Sequence, residues 1–316
     1  MSDGVDVIIG HEAVLKSLEQ ALYNKKFAHA HLFFGEDGIG KSVLATYIGK
    51  VILGGKQQRD YVDLIKCDVF KNKKSISVDQ VRQLIEEVNK KPFEGDKKVI
   101  IVHNVNKMTE QAQNAFLKTI EEPPKGVYIF LLCENLGEVL DTIQSRCQIH
   151  KLEPLNYENM RRYILKQYNK IDENKMKLAI AFGNGIPGKV DKFLNDKDFS
   201  DTRQLVFEFL LKIKGIDKIQ LLEYENVFNN YGNNREDLFQ CFLSTLRDAI
   251  VYKETGNHDL LINIDKTNEV EKLCTIFSLN QLNHMVKIVV DSMESLKYNL
   301  NSSLVFTDML IKIQEA

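Results

Sequence analysis

The chain has 316 residues, 44% of them hydrophobic and 27% charged, the proportions of an ordinary globular protein with length for two or three domains. Lys and Arg number 42 against 44 Asp and Glu, a net charge of −2, which excludes a histone-like wholesale nucleic-acid binder but leaves room for a local basic face. No apolar run approaches the roughly 18–20 residues of a membrane-spanning helix. Met1-Ser2-Asp3-Gly4 has no basic segment followed by an apolar one, so no secretory leader is expected. The five cysteines, Cys67, Cys133, Cys147, Cys241 and Cys274, are scattered and form no CxxC pair. They predict reduced thiols in the cytoplasm rather than a disulfide framework or a thiolate zinc site.

In chain order, His31-Leu32-Phe33-Phe34 reads as a short strand that stops at Gly35, and Ser42 to Leu53 has helical spacing. Val78 to Lys90 reads as an amphipathic helix with Val81, Leu84, Ile85 and Val88 on one face. Val99-Ile100-Ile101-Val102 has no polar break and predicts a parallel strand buried on both faces. Thr109 to Glu122 is a helix ended by Pro123-Pro124, and Tyr128-Ile129-Phe130-Leu131-Leu132 is a second buried strand. Strands alternating with helices predict βαβ units in a parallel sheet. After Glu153-Pro154 the strands give way to helical patterns over Asn156 to Tyr168, Glu173 to Phe182 and Lys189 to Leu194. From about Thr202 nearly everything reads as helix, most clearly Arg235 to Lys253 and Ser303 to Gln314. Three apolar sets at helical spacing read as core: Phe209, Leu210 and Leu211; Phe239, Phe242 and Leu243; Val305, Phe306 and Leu310.

Gly35-Glu36-Asp37-Gly38-Ile39-Gly40-Lys41-Ser42 matches the phosphate-loop pattern G-x-x-x-x-G-K-[ST] at every fixed position, between a strand and a helix. Gly35, Gly38 and Gly40 let backbone N–H groups turn inward on phosphates at the positive end of the helix. Lys41 then reaches the β- and γ-phosphates and Ser42 sits on Mg²⁺. A hydrolysing loop of this kind also needs a carboxylate at the end of a later strand. His103 and Asn104 follow Val102 instead, so bound nucleotide is expected to turn over little. The clusters Lys71-Asn72-Lys73-Lys74, Lys90-Lys91 and Lys97-Lys98 read first as solvated surface.

These features stand with others. Ile8-Ile9-Gly10-His11 precedes a helix, and His29-Ala30-His31-Leu32-Phe33-Phe34-Gly35 leads into the phosphate loop. Asn114-Ala115-Phe116-Leu117-Lys118-Thr119-Ile120-Glu121-Glu122-Pro123-Pro124 stands farther along, and then Ser145-Arg146-Cys147. Over about residues 5–190 the chain resembles the bacterial DNA polymerase III clamp loader, within the AAA+ superfamily. The Leu-Lys-x-x-Glu-Glu-Pro-Pro segment with Ser-Arg-Cys is more specific than the phosphate loop alone. The last third is similar mainly in being helical, with Asn299-Leu300-Asn301 before a final apolar helix.

The resemblance implies an AAA+, RecA-like α/β P-loop domain over 1–153, a small helical lid over 154–201 and an all-helical collar over 202–316. It implies Arg146 as an arginine finger acting on ATP in a neighbouring subunit. The partners it implies are gamma/tau motor and delta subunits, with the sliding clamp and primer-template DNA. Its cofactor is ATP or ADP with Mg²⁺. Relatives with a four-cysteine zinc module carry it where this chain has the cysteine-free interval from Gly54 to Leu64, so no zinc is expected. Asn135 stands near a polar phosphate sensor or in a turn, and Lys189 either faces the nucleotide or is solvated. Ser-Arg-Cys without the acids favours a subunit with little ATPase of its own. The alternatives are a hydrolysing gamma/tau-like motor, a small-molecule P-loop kinase and an AAA+ scaffold outside replication.

Overall fold

The computed structural model describes residues 8–55, 59–67, 75–230, 235–297 and 300–316. The chain divides into two compact units: residues up to Asn169 with Gly183–Lys189, and Lys170–Phe182 with Val190–Ala316.

In the first unit α1 (Glu12–Tyr23), β1 (Ala30–Phe34), α2 (Lys41–Leu53), β2 (Leu64–Cys67), α3 (Val78–Asn89), β3 (Lys98–Val102), α4 (Glu110–Glu121), β4 (Val127–Cys133), α5 (Asp141–Gln144), β5 (Gln148–Lys151) and α6 (Tyr157–Gln167) succeed one another. The five strands are all parallel, in the order β2-β3-β4-β1-β5. Strand β4 lies between β1 and β3, with Leu131 opposite both Leu32 and Val102. The three inner strands are the apolar runs that the sequence marks, and Val99 to Val102 and Ile129 to Leu132 are buried. Helix α3 opens with a capping box in which Ser77 and Gln80 satisfy each other's backbone N–H groups. Helix α4 opens on Thr109, whose Oγ1 accepts from Ala112 N at 3.2 Å. It ends before Pro123, with His29 Nε2 donating to the Ile120 carbonyl at 2.9 Å. That bond ties the entrance of β1 to the last turn of α4.

The edge strands β2 and β5 are absent from the apolar pattern of the sequence. Both are four residues long and carry polar, exposed side chains such as Lys66, Gln148 and Lys151. Their place in the sheet comes from pairing rather than from a hydrophobic pattern.

Lys98 corrects the reading of Lys97-Lys98 as solvated charge. Its side chain is fully buried, with Nζ donating to Glu87 Oε1 at 3.0 Å and to the carbonyl of Glu87 at 2.8 Å. The cluster Lys71-Asn72-Lys73-Lys74 lies outside the described residues, and Lys90 and Lys91 are exposed.

Helices α7 (Glu173–Gly183) and α8 (Pro187–Asn195) come next. Beyond them lie α9 (Lys197–Lys212), α10 (Lys218–Asn230), α11 (Arg235–Thr255), α12 (Thr267–Ile276), α13 (Leu279–Lys297) and α14 (Ser302–Glu315). The expected apolar sets form the core of the second unit. Phe209, Leu210, Phe239, Phe242, Phe306 and Leu310 are buried, with Leu211 and Leu243 packed against them. Phe209, Phe228 and Phe242 meet edge to face with centroids 5.6–5.9 Å apart.

A polar knot fastens the segment between α11 and α12. The buried Asp248 accepts from the backbone N–H groups of Ile262 and Asn263 at 2.8 and 2.6 Å, and from Arg247 Nη1 at 2.8 Å. Asn263 in turn accepts from Arg203 Nε at 2.7 Å, and the Arg203 guanidinium is paired with Asp265. Asp248→Ala leaves the buried Asn263 N–H without its acceptor. It is expected to lower unfolding free energy by about 3–5 kcal/mol, read by urea denaturation of the full chain.

The β1–β5 seam holds an imidazole pair, His31 buried and His150 half-buried. His31 Nε2–H donates to the Ala28 carbonyl at 3.0 Å, so the neutral ring accepts at Nδ1 from His150 Nε2–H at 2.9 Å. Phe33 stacks on His150 with centroids 4.9 Å apart. Burial, with the neighbouring His150, holds His31 down to about 3, and burial holds His150 down to about 4. The unfolded chain takes up these protons near the ordinary histidine value of about 6.5, before the folded one does. The melting temperature should therefore fall from about pH 6.5 towards about pH 4, and His150→Phe should flatten that fall in melts taken across the range.

Candidate functional site

The carboxyl ends of parallel strands share one edge, and the phosphate loop leaves β1 there. Gly35 has φ +151°, and a Cβ on it would stand 2.6 Å from the Leu152 carbonyl oxygen. Gly38 has φ +77°, in the left-handed region that disfavours side chains, and Gly40 is the left-handed residue before α2. His11, buried ahead of α1, donates from Nε2 to the Ile39 carbonyl at 2.9 Å and holds the loop from behind. Ser42 is half-buried in the first turn of α2.

Lys41 is 8% exposed, and its Nζ donates to the carbonyls of Gly35 at 2.6 Å and Glu36 at 2.9 Å. Burial lowers its pKa, opposed by Asp37 and Glu134, which favour the charged form. Sequence reasoning gives Glu134 no role at the loop. It comes after β4 rather than β3, and the signal for it is the strand order, which sets β4 beside β1.

Lys189 Nζ pairs with Glu36 Oε2 of the phosphate loop at 3.0 Å, in a pair that remains open to solvent. Gly188 N donates to the Gly38 carbonyl at 3.0 Å, and a Cβ on Gly188 would stand 2.7 Å from Gly38 Cα. Asn135 takes the turn role: its Oδ1 accepts from Gly137 N at 3.0 Å. At the end of β3, His103 N donates to the Cys67 carbonyl at 2.9 Å and Asn104 takes φ +54°. Among the described residues no three His, Cys, Asp or Glu side chains gather as a metal centre.

Ser145-Arg146-Cys147 divides its work among three side chains. Ser145 Oγ donates to the Thr142 carbonyl at 3.2 Å. Cys147 packs against the core between the sheet and α4, its thiol pushed up to about 12 by burial. Arg146 points outward: Nε donates to Glu121 Oε2 and Nη1 to the Thr142 carbonyl, both at 3.0 Å. The loop before α5 hangs on two glutamines. Gln113 Oε1 accepts from Leu140 N at 2.8 Å, its Nε2 donates to Glu138 O at 3.0 Å, and Gln144 Nε2 donates to Val139 O at 2.7 Å.

The donor set fits a nucleotide phosphate. The loop has the glycine conformations and the helix end that a phosphate needs, while neither residue directly after β3 is a carboxylate.

This sheet with its phosphate loop, leading into helices, is that of an AAA+, RecA-like P-loop protein. The chain belongs to the DNA polymerase III delta-subunit family. The family model described as DNA polymerase III, delta subunit, matches residues 10–156, and the one described as its C-terminal part matches 197–315. The chain is 25% identical to the DNA polymerase III subunit delta′ of Bacillus subtilis over 96% of its own length and 95% of the relative's. It is 24% identical to the subunit tau of the same organism, over 97% of its length and 60% of the relative's. A crystal structure of a DNA polymerase III gamma subunit-related protein from Thermotoga maritima aligns with a TM-score of 0.49 at 19% identity, covering 97% of this chain and 99% of that one.

Gly188→Ala tests the close backbone approach. The new methyl group forces the two stretches of chain apart, with an expected loss of about 1–3 kcal/mol in a thermal melt.

Proposed function

We propose that the chain serves as the delta-prime subunit of a bacterial clamp loader. In this role it assembles with gamma/tau motor and delta subunits and helps place the sliding clamp on primed DNA. It hydrolyses little or no ATP itself. The observation that carries the reading lies at the end of β3, where His103 and Asn104 stand in place of the carboxylate that hydrolysis requires. Arg146 meanwhile stands on a braced turn with its guanidinium turned outward, which supports a role as an arginine finger on ATP held by a neighbour. Such a finger stabilises charge on the transferred phosphoryl group.

Gly35, Gly38, Gly40, Lys41 and Ser42 would hold the phosphates of ATP or ADP, with Ser42 on Mg²⁺. When bound, the nucleotide supplies a charged ligand at the loop, and no turnover by this chain is required. Residues 154–201 act as the lid and 202–316 as the collar, as the family resemblance implies.

The test is ATP hydrolysis by the chain mixed with motor and delta subunits, clamp and primed DNA. The chain alone is expected to be silent. Arg146→Ala is expected to lower turnover of the mixture by roughly tenfold or more, while Lys41→Ala leaves assembly intact. Robust hydrolysis by the chain alone would make it a gamma/tau-like motor instead.

A further inference from the structure

Arg146 and Glu121 are 25 positions apart in the sequence and meet at one corner of the first unit. Glu121 is the last residue of α4, and its surroundings are fixed. Ile120 is fully buried, its carbonyl is held by His29, and Pro123-Pro124 stops the helix immediately beyond. The Glu121 carboxylate accepts from Nε of Arg146, and the Thr142 carbonyl, an end group of the one-turn helix α5, accepts from Nη1. These two bonds set the plane of the guanidinium and its reach. The Nη2 group has no hydrogen-bond partner among the described residues and is left for an acceptor outside the chain.

We propose that Glu121 is the positioning residue for Arg146: its carboxylate fixes the Nε edge of the guanidinium so that the Nη2 side is presented, already oriented, to phosphate oxygens of a neighbouring subunit. The inference rests on the arginine-finger reading. An arginine has many rotamers, and a finger that must be ordered at each encounter loses rate to that freedom. The pair explains the spacing of two sequence features that the finger alone leaves unrelated. The Glu-Glu-Pro-Pro stop puts a carboxylate at a helix end, and Ser-Arg-Cys delivers the arginine to it. A role in stability does not account for it. Arg146 is 34% exposed and Glu121 55%, and ion pairs so open to solvent contribute little to folding.

The experiment uses the full chain reconstituted with motor and delta subunits, clamp and primed DNA, reading kcat and KM for ATP. Glu121→Gln keeps the shape and removes the charge. It should lower kcat roughly three- to tenfold and leave KM within about twofold, with the melting temperature of the chain unchanged. In an Arg146→Ala background the same substitution should change nothing further. Glu122→Gln, its exposed neighbour, should behave as the wild type.

Full kcat in Glu121→Gln overturns the proposal, and so does an equal loss in the Arg146→Ala background; the finger reading survives either result. Unchanged hydrolysis on Arg146→Ala overturns the finger reading and the proposal together. A second measurement needs no partner. The Nε–H resonance of Arg146 in the isolated chain should shift on Glu121→Gln, and an unmoved resonance overturns the proposal whatever the kinetics show.

Discussion

Strand β4 is hydrogen-bonded on both sides, to β1 and to β3, and the site depends on those two parallel ladders. Because the strands run the same way, every one of them ends on the same edge of the sheet. The phosphate loop after β1, Glu134 after β4 and His103 after β3 are brought to that edge by backbone pairing alone. The apolar side chains of β3 and β4 fill both faces and are buried. Once the ladders form, the positions of these candidate site residues are already determined.

A second layer of order comes from side chains bonded to backbone. Gln113, buried on α4, and Gln144, on α5, hold the segment between β4 and Arg146 by its own N–H and carbonyl groups. Their amides do for an irregular segment what a ladder does for a strand. His11 and His29 act in the same way on the phosphate loop and on the end of α4. Of these four, His11 and Gln113 are buried, and a polar head satisfied by backbone away from water is stable only in one geometry, so it specifies that geometry.

The inner strands were legible because Val99 to Val102 and Tyr128 to Leu132 have no polar break, which only burial on both faces explains. Strands β2 and β5 were not, since Lys66, Gln148 and Lys151 give an edge strand the pattern of a loop. The phosphate loop could be read residue by residue because its constraints are local: glycine conformation, helix end and lysine all lie within one short stretch. The environment of Arg146 could not, because Glu121 reaches it only after α4, β4 and α5 have folded. Lys98 misled for the same reason. Beside Lys97 it looks like surface charge, and only the packing of α3 against the sheet supplies Glu87. His31 and His150 gave no sign of pairing until β5 was in register with β1.

The backbone contact between Gly38 and Gly188 gives the phosphate loop a task of its own. Both glycines are required for two stretches of chain to lie against each other, whether or not a ligand is bound. Replacing Gly38 would disturb that contact even with the loop empty. Part of the signature then works as joinery, fitting two stretches of the first unit together as well as shaping the loop.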